Sequence, residues 1–207
     1  MRSAALADIA AEASSCTRCA LAATRTKVVF GAGDPEARLL FVGEGPGRDE
    51  DLQGEPFVGR SGKLLDRLIA EELGTDRSRC YIANVVKCRP PQNRDPKPDE
   101  MAACRPFLDR QLAVIAPAVV VTLGNVATRA LLRTADGIRS LRGRAYPFGD
   151  AMLVPTYHPA AALRSGGEVV AEMRADLVRA KRLLAAAGPL GGGAPQGAGE
   201  RARGPLP

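Results

Sequence analysis

Arg38-Leu-Leu-Phe-Val-Gly-Glu-Gly-Pro-Gly47 joins an unbroken apolar run to a glycine-rich turn, and this stretch decides the fold class. A run of apolar residues without alternation is typical of a strand that is buried on both faces, as in a parallel sheet. Three later segments have the same character. Together with the first, they predict four strands, at residues 38–42, 81–86, 118–123 and 152–155.

Segments with helical periodicity lie between and after these strands. Residues 61–73 carry apolar side chains at helical spacing, and Gly74 follows where a helix would end. Further helices are predicted at residues 98–115, 125–132 and 168–187. Alternating strands and helices predict an α/β fold, a single-domain three-layer sandwich whose central four-stranded parallel sheet is flanked by helices.

Length and composition set the limits of this domain. The chain has 207 residues, enough for one domain with a full core, which we place at residues 1–187. In residues 188–207, eleven of twenty are Gly or Pro without periodicity, so we expect a disordered tail. No apolar run approaches the roughly 20 residues that a membrane span needs. Residues 1–13 resemble an amphipathic helix more than a signal peptide, so a cytoplasmic protein without a membrane partner is expected.

The chain is basic and almost free of histidine. The net charge of +6 suits a polyanionic partner, and it suits a generic solvated surface equally well. His158 is the only histidine and there is no tryptophan. Any chemistry that needs a side chain with an ordinary pKa near neutrality therefore has one candidate.

The loops that follow the predicted strands form the candidate site. In open α/β sheets, ligands bind where the chain leaves the carboxyl ends of the strands. The segments at these ends are residues 43–47, Asn84 with residues 87–90, residues 124–125, and residues 156–159. The last of these contains His158, so its position predicts a functional residue.

The five cysteines argue against a disulfide framework in a cytoplasmic chain. Cys16-Thr-Arg-Cys19 is a C-x2-C pair, Cys88 follows the second strand, and Cys104 lies in a predicted helix. Four thiolates suit a zinc ion or an iron–sulfur cluster, and the spacing leaves both open beside a third alternative, unrelated buried cysteines. Cys80 opens a strand without a partner, and we interpret it as structural.

Seven short segments, taken in their order along the chain, form a specific pattern. They are Cys16-Thr-Arg-Cys19, Val42-Gly-Glu-Gly-Pro-Gly47, Pro56-Phe-Val-Gly59, Asn84-Val-Val-Lys-Cys-Arg-Pro90, Cys104, Leu123-Gly124 and His158-Pro159. In this order they resemble the family-4 uracil-DNA glycosylases, the iron–sulfur branch of the uracil-DNA glycosylase superfamily. Two positions depart from that pattern: Arg48 begins what is usually an acidic run, and Ala160 replaces the usual serine after His-Pro.

The resemblance implies a cofactor, a substrate and site residues. It implies a 4Fe-4S cluster on Cys16, Cys19, Cys88 and Cys104, and uracil-containing DNA, single- or double-stranded, as the partner of a monomer. It also implies that Glu44 and Gly45 lie beside the scissile bond, that Phe57 stacks on the flipped uracil, that Asn84 reads the uracil edge, and that His158 meets uracil O2. The related covalent uracil-trapping branch has a histidine-containing insert after the second strand. Arg89-Pro-Pro-Gln-Asn-Arg94 has none, which disfavours that branch.

The implied chemistry agrees with these residue types. A base must leave the stack to be reached, and an aromatic ring such as Phe57 recovers about 1–3 kcal/mol by stacking. The Asn84 amide can accept from uracil N3–H and donate to O4, whereas cytosine presents the opposite pattern. His158 can donate to O2 as negative charge collects there. Glu44 either orients the water or stabilises the cationic sugar.

Two other functions fit parts of the sequence. A lesion-binding module would use the same pocket without turnover. An electron carrier would use the cluster, but ferredoxin-like carriers place their cysteines close together in sequence, whereas these four span residues 16–104.

Overall fold

A computed structural model describes residues 1–188, and the sheet at its centre has six strands. They are β1 (Ala32–Gly33), β2 (Leu39–Gly43), β3 (Tyr81–Asn84), β4 (Val119–Leu123), β5 (Tyr146–Phe148) and β6 (Ala151–Thr156). Their order is β1-β3-β2-β4-β6-β5. The four central strands are parallel, whereas β1 and β5 pair antiparallel at the two edges.

The prediction of four strands was therefore wrong in number, although all four predicted strands are present. The two missed strands have little sequence signal. β1 is only two residues long, and β5 contains Pro147 and joins β6 through a tight turn at Gly149, whose φ is +58°. Short strands and proline are common at sheet edges, where one side needs no partner.

Eight α-helices accompany the sheet in the described residues. They are α1 (Arg2–Ser14), α2 (Arg48–Gln53), α3 (Arg60–Leu68), α4 (Pro98–Ile115), α5 (Asn125–Leu132), α6 (Ile138–Leu141), α7 (Pro159–Ser165) and α8 (Gly167–Ala186). A wider helical turn, Ile69–Leu73, extends α3 and ends at Gly74, as the sequence predicts. The four predicted helices and the N-terminal helix are thus confirmed.

The sheet is covered on both faces, which explains the continuous apolar runs. Leu40 and Val42 pack in one core cluster, together with residues of α1 and α4. Leu39 and Phe41 point to the other face, where α3 and α8 pack. This is the predicted three-layer arrangement.

Within residues 1–188, no helix is both long enough and apolar enough to cross a membrane. The cytoplasmic location and the domain limit at residue 187 stay predictions. The expected disordered tail lies, apart from Gly188, outside the described residues.

Candidate active site and cysteine cluster

A wide cleft opens at the carboxyl edge of the parallel strands. The five residues that the sequence assigns to substrate and catalysis all line it: Glu44, Gly45, Phe57, Asn84 and His158. They come from the end of β3 and from the segments after β2 and β6, because parallel strands deliver their carboxyl ends to one edge. The cleft is therefore the candidate active site.

Phe57 is held in an uncommon backbone conformation. Its φ is +54°, a left-handed value that is strained for a bulky residue, yet its side chain is 6% exposed. Two charged residues fix the loop. The Glu50 carboxylate accepts hydrogen bonds from the backbone N–H groups that follow Phe57 and from Gly47, at 3.0–3.1 Å. On the other side, the Arg77 guanidinium donates to the Pro56 and Phe57 carbonyls at 2.7 and 3.0 Å.

Two acidic residues that follow the glycine motif make different contacts. Glu50 joins the motif to the Phe57 loop, whereas the buried Asp51 accepts from the backbone N–H groups of Thr26 and Lys27 at 2.8 and 3.3 Å. Sequence reasoning left these acids undifferentiated. It missed Arg77 altogether, because the contacts of Arg77 are to carbonyls 20 and 21 residues away.

Gly43 allows two site residues to approach each other. A Cβ atom at Gly43 would lie 2.4 Å from Asn84 Oδ1 and 2.7 Å from the Phe57 ring. Both distances are far below van der Waals contact. Any other residue at this position would displace the Asn84 amide or the aromatic ring.

Asn84 ends β3 with its side chain buried, at 1% exposure. Its Oδ1 has no hydrogen-bond partner anywhere in residues 1–188. A buried acceptor without a partner carries a desolvation cost of about 1–3 kcal/mol. Because Asn84 lines the cleft, this atom is a candidate acceptor for a ligand.

His158 stands at the N-terminus of α7, where its ring Nδ1 accepts a hydrogen bond from the Ala160 backbone N–H at 3.1 Å. Burial lowers the pKa of His158 to about 4; the Arg164 charge adds to this shift, and the Glu50 charge opposes it. The imidazole is thus neutral at physiological pH. Because Nδ1 is an acceptor, Nε2 carries the proton. The ring centroid lies 5.7 Å from that of Phe57.

The pKa of Glu44 is shifted in the direction opposite to that of His158. Burial, together with the charge of Asp95, raises the pKa of Glu44 to about 7. Its carboxyl group therefore changes protonation near neutral pH. Asp95, which also lines the cleft, was not predicted; its position seven residues after Cys88 gives no pattern that would identify it.

Exposed arginines line the rim of the cleft, and they are Arg48, Arg60, Arg129, Arg139 and Arg164. Exposed carboxylates are also present, at Asp49 and Asp95. Guanidinium groups at such positions suit phosphate groups, which they can bind with two parallel hydrogen bonds.

The four cysteines of the predicted set line one separate cavity, between α1, the end of β3 and α4. N–H groups point at three of the sulfurs. They are the Arg18 side chain to Cys16 at 3.4 Å, the Arg25 side chain to Cys88 at 3.4 Å, and the Lys87 backbone to Cys104 at 3.3 Å. Cys80 is buried apart from them, in the core cluster on the other face of the sheet.

The surroundings of this cavity shift the pKa values of its free thiols in different directions. Burial raises the pKa of the Cys88 and Cys104 thiols. At Cys16, burial also opposes ionisation, but hydrogen bonds from Arg18 and the charges of Arg18 and Arg25 together lower the pKa. In the part of the chain that the structure describes, no three His, Cys, Asp or Glu side chains converge on a point that one metal ion would occupy.

The fold and the cleft define an α/β protein with its candidate site at the carboxyl edge of a parallel sheet. Comparison with known proteins gives the family. The family model described as "Uracil DNA glycosylase superfamily" matches residues 30–180.

Individual relatives indicate which branch of the superfamily the chain belongs to. A type-4 uracil-DNA glycosylase of Sulfurisphaera tokodaii is 47% identical over 166 residues, which are 76% of each chain. A type-4 enzyme of Thermotoga maritima is 44% identical over 175 residues, 82% of this chain and 89% of that one. A type-5 uracil-DNA glycosylase of Thermus thermophilus is 34% identical over 177 residues, 75% of this chain and 80% of that one. The chain belongs to the uracil DNA glycosylase superfamily, in its type-4 branch.

Proposed function

We propose that this chain hydrolyses the N-glycosidic bond of uracil in DNA, releasing free uracil and leaving an abasic site. Membership of the superfamily supports the reaction, and one observation in the cleft supports the substrate. The Asn84 Oδ1 atom is buried in the cleft without a hydrogen-bond partner among the described residues. Uracil N3–H supplies the donor that this atom lacks.

Recognition uses Phe57 and Asn84 together. A uracil that leaves the DNA stack meets the Phe57 ring, which recovers part of the unstacking free energy. The Asn84 amide accepts from N3–H and donates to O4. Cytosine has an acceptor at N3 and a donor at C4, so both hydrogen bonds would be replaced by mismatches, at roughly 1–3 kcal/mol each.

His158 acts on the leaving group. As the glycosidic bond breaks, its electron pair goes to uracil and negative charge collects on O2. A neutral imidazole whose Nε2 carries the proton donates a hydrogen bond to O2 without first losing a proton to solvent. One preorganised donor of this kind is typically worth about 10² to 10³ in rate.

Glu44 acts on the sugar side, next to Gly45. In its ionised form it stabilises the cationic sugar or orients the water whose oxygen bonds to C1′. The water's proton then passes to solvent and the uracil anion is protonated, so the products are uracil and an abasic site. The pKa of about 7 puts Glu44 in its working form at and above neutral pH.

We further infer that Cys16, Cys19, Cys88 and Cys104 hold a 4Fe-4S cluster. Three observations fit that group: the thiols surround one cavity, N–H donors point at three sulfurs, and the buried Lys87 has no neutralising carboxylate among the residues described. Anionic thiolates would satisfy all of these donors. The resemblance to the iron–sulfur branch favours this cluster over a single zinc ion, which four thiolates would also suit. The cluster would join α1, β3 and α4 as a structural link, with no part in bond cleavage.

The partner is uracil-containing DNA, held at its phosphates by the arginines of the rim. We propose that the active form is a monomer. The functional test is incubation of anaerobically purified full-length protein with a labelled DNA strand containing one uracil, followed by alkaline cleavage at abasic sites. We expect one cut at the uracil position and none in a matched strand with thymine. Binding without cleavage would instead indicate a lesion-binding module.

A further inference from the structure

A buried lysine lies directly behind the uracil-reading residue. Lys87 is 1% exposed, and its Nζ donates to the Asn84 backbone carbonyl at 2.8 Å and to Gln111 Oε1 at 2.5 Å. No carboxylate in the described structure neutralises it. Burying an ammonium group costs several kcal/mol unless hydrogen bonds and charge compensate. A position that required only volume would be filled at less cost by methionine or leucine.

The Asn84 carbonyl needs this donor because the sheet ends beside it. The Val85 N–H donates to the Gly43 carbonyl, so the next peptide is paired with β2. In a trans peptide the C=O points opposite to the N–H, hence the Asn84 carbonyl faces the β1 side. There β1 pairs only with Tyr81 and Ile82. The Lys87 ammonium takes the place that a longer edge strand would fill.

Gln111 fixes the other end of the contact. It is fully buried on α4, and its Nε2 donates to the Phe30 carbonyl at 2.9 Å and to the Tyr81 hydroxyl at 3.4 Å. The amide orientation is therefore set, and Oε1 is left to accept from Lys87. The ammonium is held between a rigid helix and the last residue of β3.

The backbone of Lys87 is fixed as well. Its N–H donates to Cys104 Sγ at 3.3 Å, and its carbonyl accepts from Val29 N–H at 2.8 Å. Cys104 and Gln111 lie on the same helix, α4. Both ends of Lys87 are thus anchored to the helix that carries one of the four cysteines.

We propose that Lys87 is a positioning residue for uracil recognition: its ammonium group fixes the Asn84 backbone, and thereby the direction of the Asn84 amide, relative to α4. The inference rests on the proposed function and deepens it. Lys87 acts through Asn84, so removing it has an effect only while the Asn84 amide is present.

A double-mutant cycle tests this dependence. The variants are Lys87→Met, which keeps the length of the side chain and removes the donor, Asn84→Ala, and the two together. Two quantities are measured on anaerobically purified protein: the single-turnover excision rate, and the dissociation constant of free uracil by calorimetry. Iron content and visible absorption are recorded for each variant. Lys181→Met, an exposed lysine on α8, is the matched control.

We expect Lys87→Met to weaken free-uracil binding and to slow excision by about tenfold to a hundredfold, the range for a lost hydrogen bond to a charged group. In the Asn84→Ala background, the same change should alter the excision rate and the uracil dissociation constant by less than about threefold. Iron content and the control variant should match wild type. Equal effects in both backgrounds, or an unchanged uracil affinity, would overturn the proposal.

If Lys87→Met does not fold, Gln111→Met removes the second acceptor and leaves the lysine in place; the same non-additivity is then expected. The cycle also separates this inference from the proposed function. A wild-type protein that neither excises nor binds uracil overturns both. An active wild type with an additive cycle overturns only the function of Lys87.

Discussion

The backbone N–H of Ala160 donates to Nδ1 of His158 at 3.1 Å, and this one hydrogen bond fixes which ring nitrogen carries the proton. The sequence places a histidine at the cleft but leaves its protonation state open. With Nδ1 as acceptor and a pKa of about 4, the imidazole enters the reaction neutral, with Nε2–H free to donate. Ala160, which departs from the serine that the resemblance leads us to expect, needs only its backbone for this contact.

His158→Ala should therefore lower the single-turnover excision rate by about 10² to 10³. DNA affinity should change far less, because phosphate contacts supply most of it. The donor stabilises charge that appears only as the bond breaks, so its removal slows the chemical step. Rapid-quench kinetics with a binding titration separate the two quantities. An excision rate within a fewfold of wild type would contradict the assignment.

The pH dependence should come from Glu44 and not from His158. Because Glu44 works ionised and has a pKa of about 7, the excision rate should rise with pH and level off above 7. In Glu44→Gln, the rate should be lower, with no limb between pH 5 and 8, since His158 titrates near pH 4. A limb near pH 7 that persists in Glu44→Gln would belong to another group.

The same carboxyl group affects stability. The pKa of Glu44 in the folded state lies above its ordinary value of 4.5, so between these values the folded protein binds more protons than the unfolded chain. The contribution of Glu44 to the free energy of unfolding therefore falls as pH rises from about 4.5 to 7. Above pH 7, Glu44→Gln should be more stable than wild type, by about 1 kcal/mol, because the carboxyl group is partly exposed and solvent screens much of the full effect. Urea unfolding at pH 5 and pH 8 measures this difference.

Much of this arrangement could be predicted from the sequence, because buried parallel strands have a strong apolar signal. The positions of Asn84 and His158 at strand ends then follow from the topology of the sheet. The edge strands could not be predicted, since Ala32–Gly33 carries almost no side-chain pattern. Arg77 could not be predicted either, because the carbonyls that it contacts are 20 and 21 residues away. The sequence places residues 87–90 at the candidate site, but the burial of the Lys87 side chain and its contact with Gln111 on α4 depend on the fold.

The cysteine set gives a test that does not depend on activity. Freshly prepared protein should be brown and hold about four irons per chain. Cys88→Ser and Cys104→Ser should lose iron, because each removes one of four ligands. Cys80→Ser is the control, since Cys80 lies on the other face of the sheet. Iron analysis and visible absorption decide the matter, and stoichiometric zinc without iron in anaerobic preparations would refute the cluster.

Glu50 should control the aromatic part of the pocket. In Glu50→Gln, one carboxylate oxygen becomes an NH₂ group that faces backbone N–H donors, so at least one of the hydrogen bonds that join Gly47 to the Phe57 loop is lost. Free-uracil affinity, measured by product inhibition, should fall about tenfold while DNA affinity changes little. The exposed Glu55→Gln is the matched control. A parallel loss of both affinities would indicate a general folding defect instead.

Gly43→Ala should close the uracil pocket without unfolding the protein. The added methyl group would lie 2.4 Å from Asn84 Oδ1 and 2.7 Å from the Phe57 ring, so the amide, the ring or the end of β2 must move. Each of these shifts alters the space between the edge-reading amide and the stacking ring. We therefore expect the excision rate to fall by at least about 10²-fold, since misplacement by about 1 Å is enough for such a loss.

The matched control is Gly167→Ala, where nothing lies within 4 Å of the new methyl group, and it should keep full activity. Thermal unfolding and DNA affinity are recorded for both variants. If Gly43→Ala folds normally and excises uracil at the wild-type rate, the space between Asn84 and Phe57 is not where uracil binds.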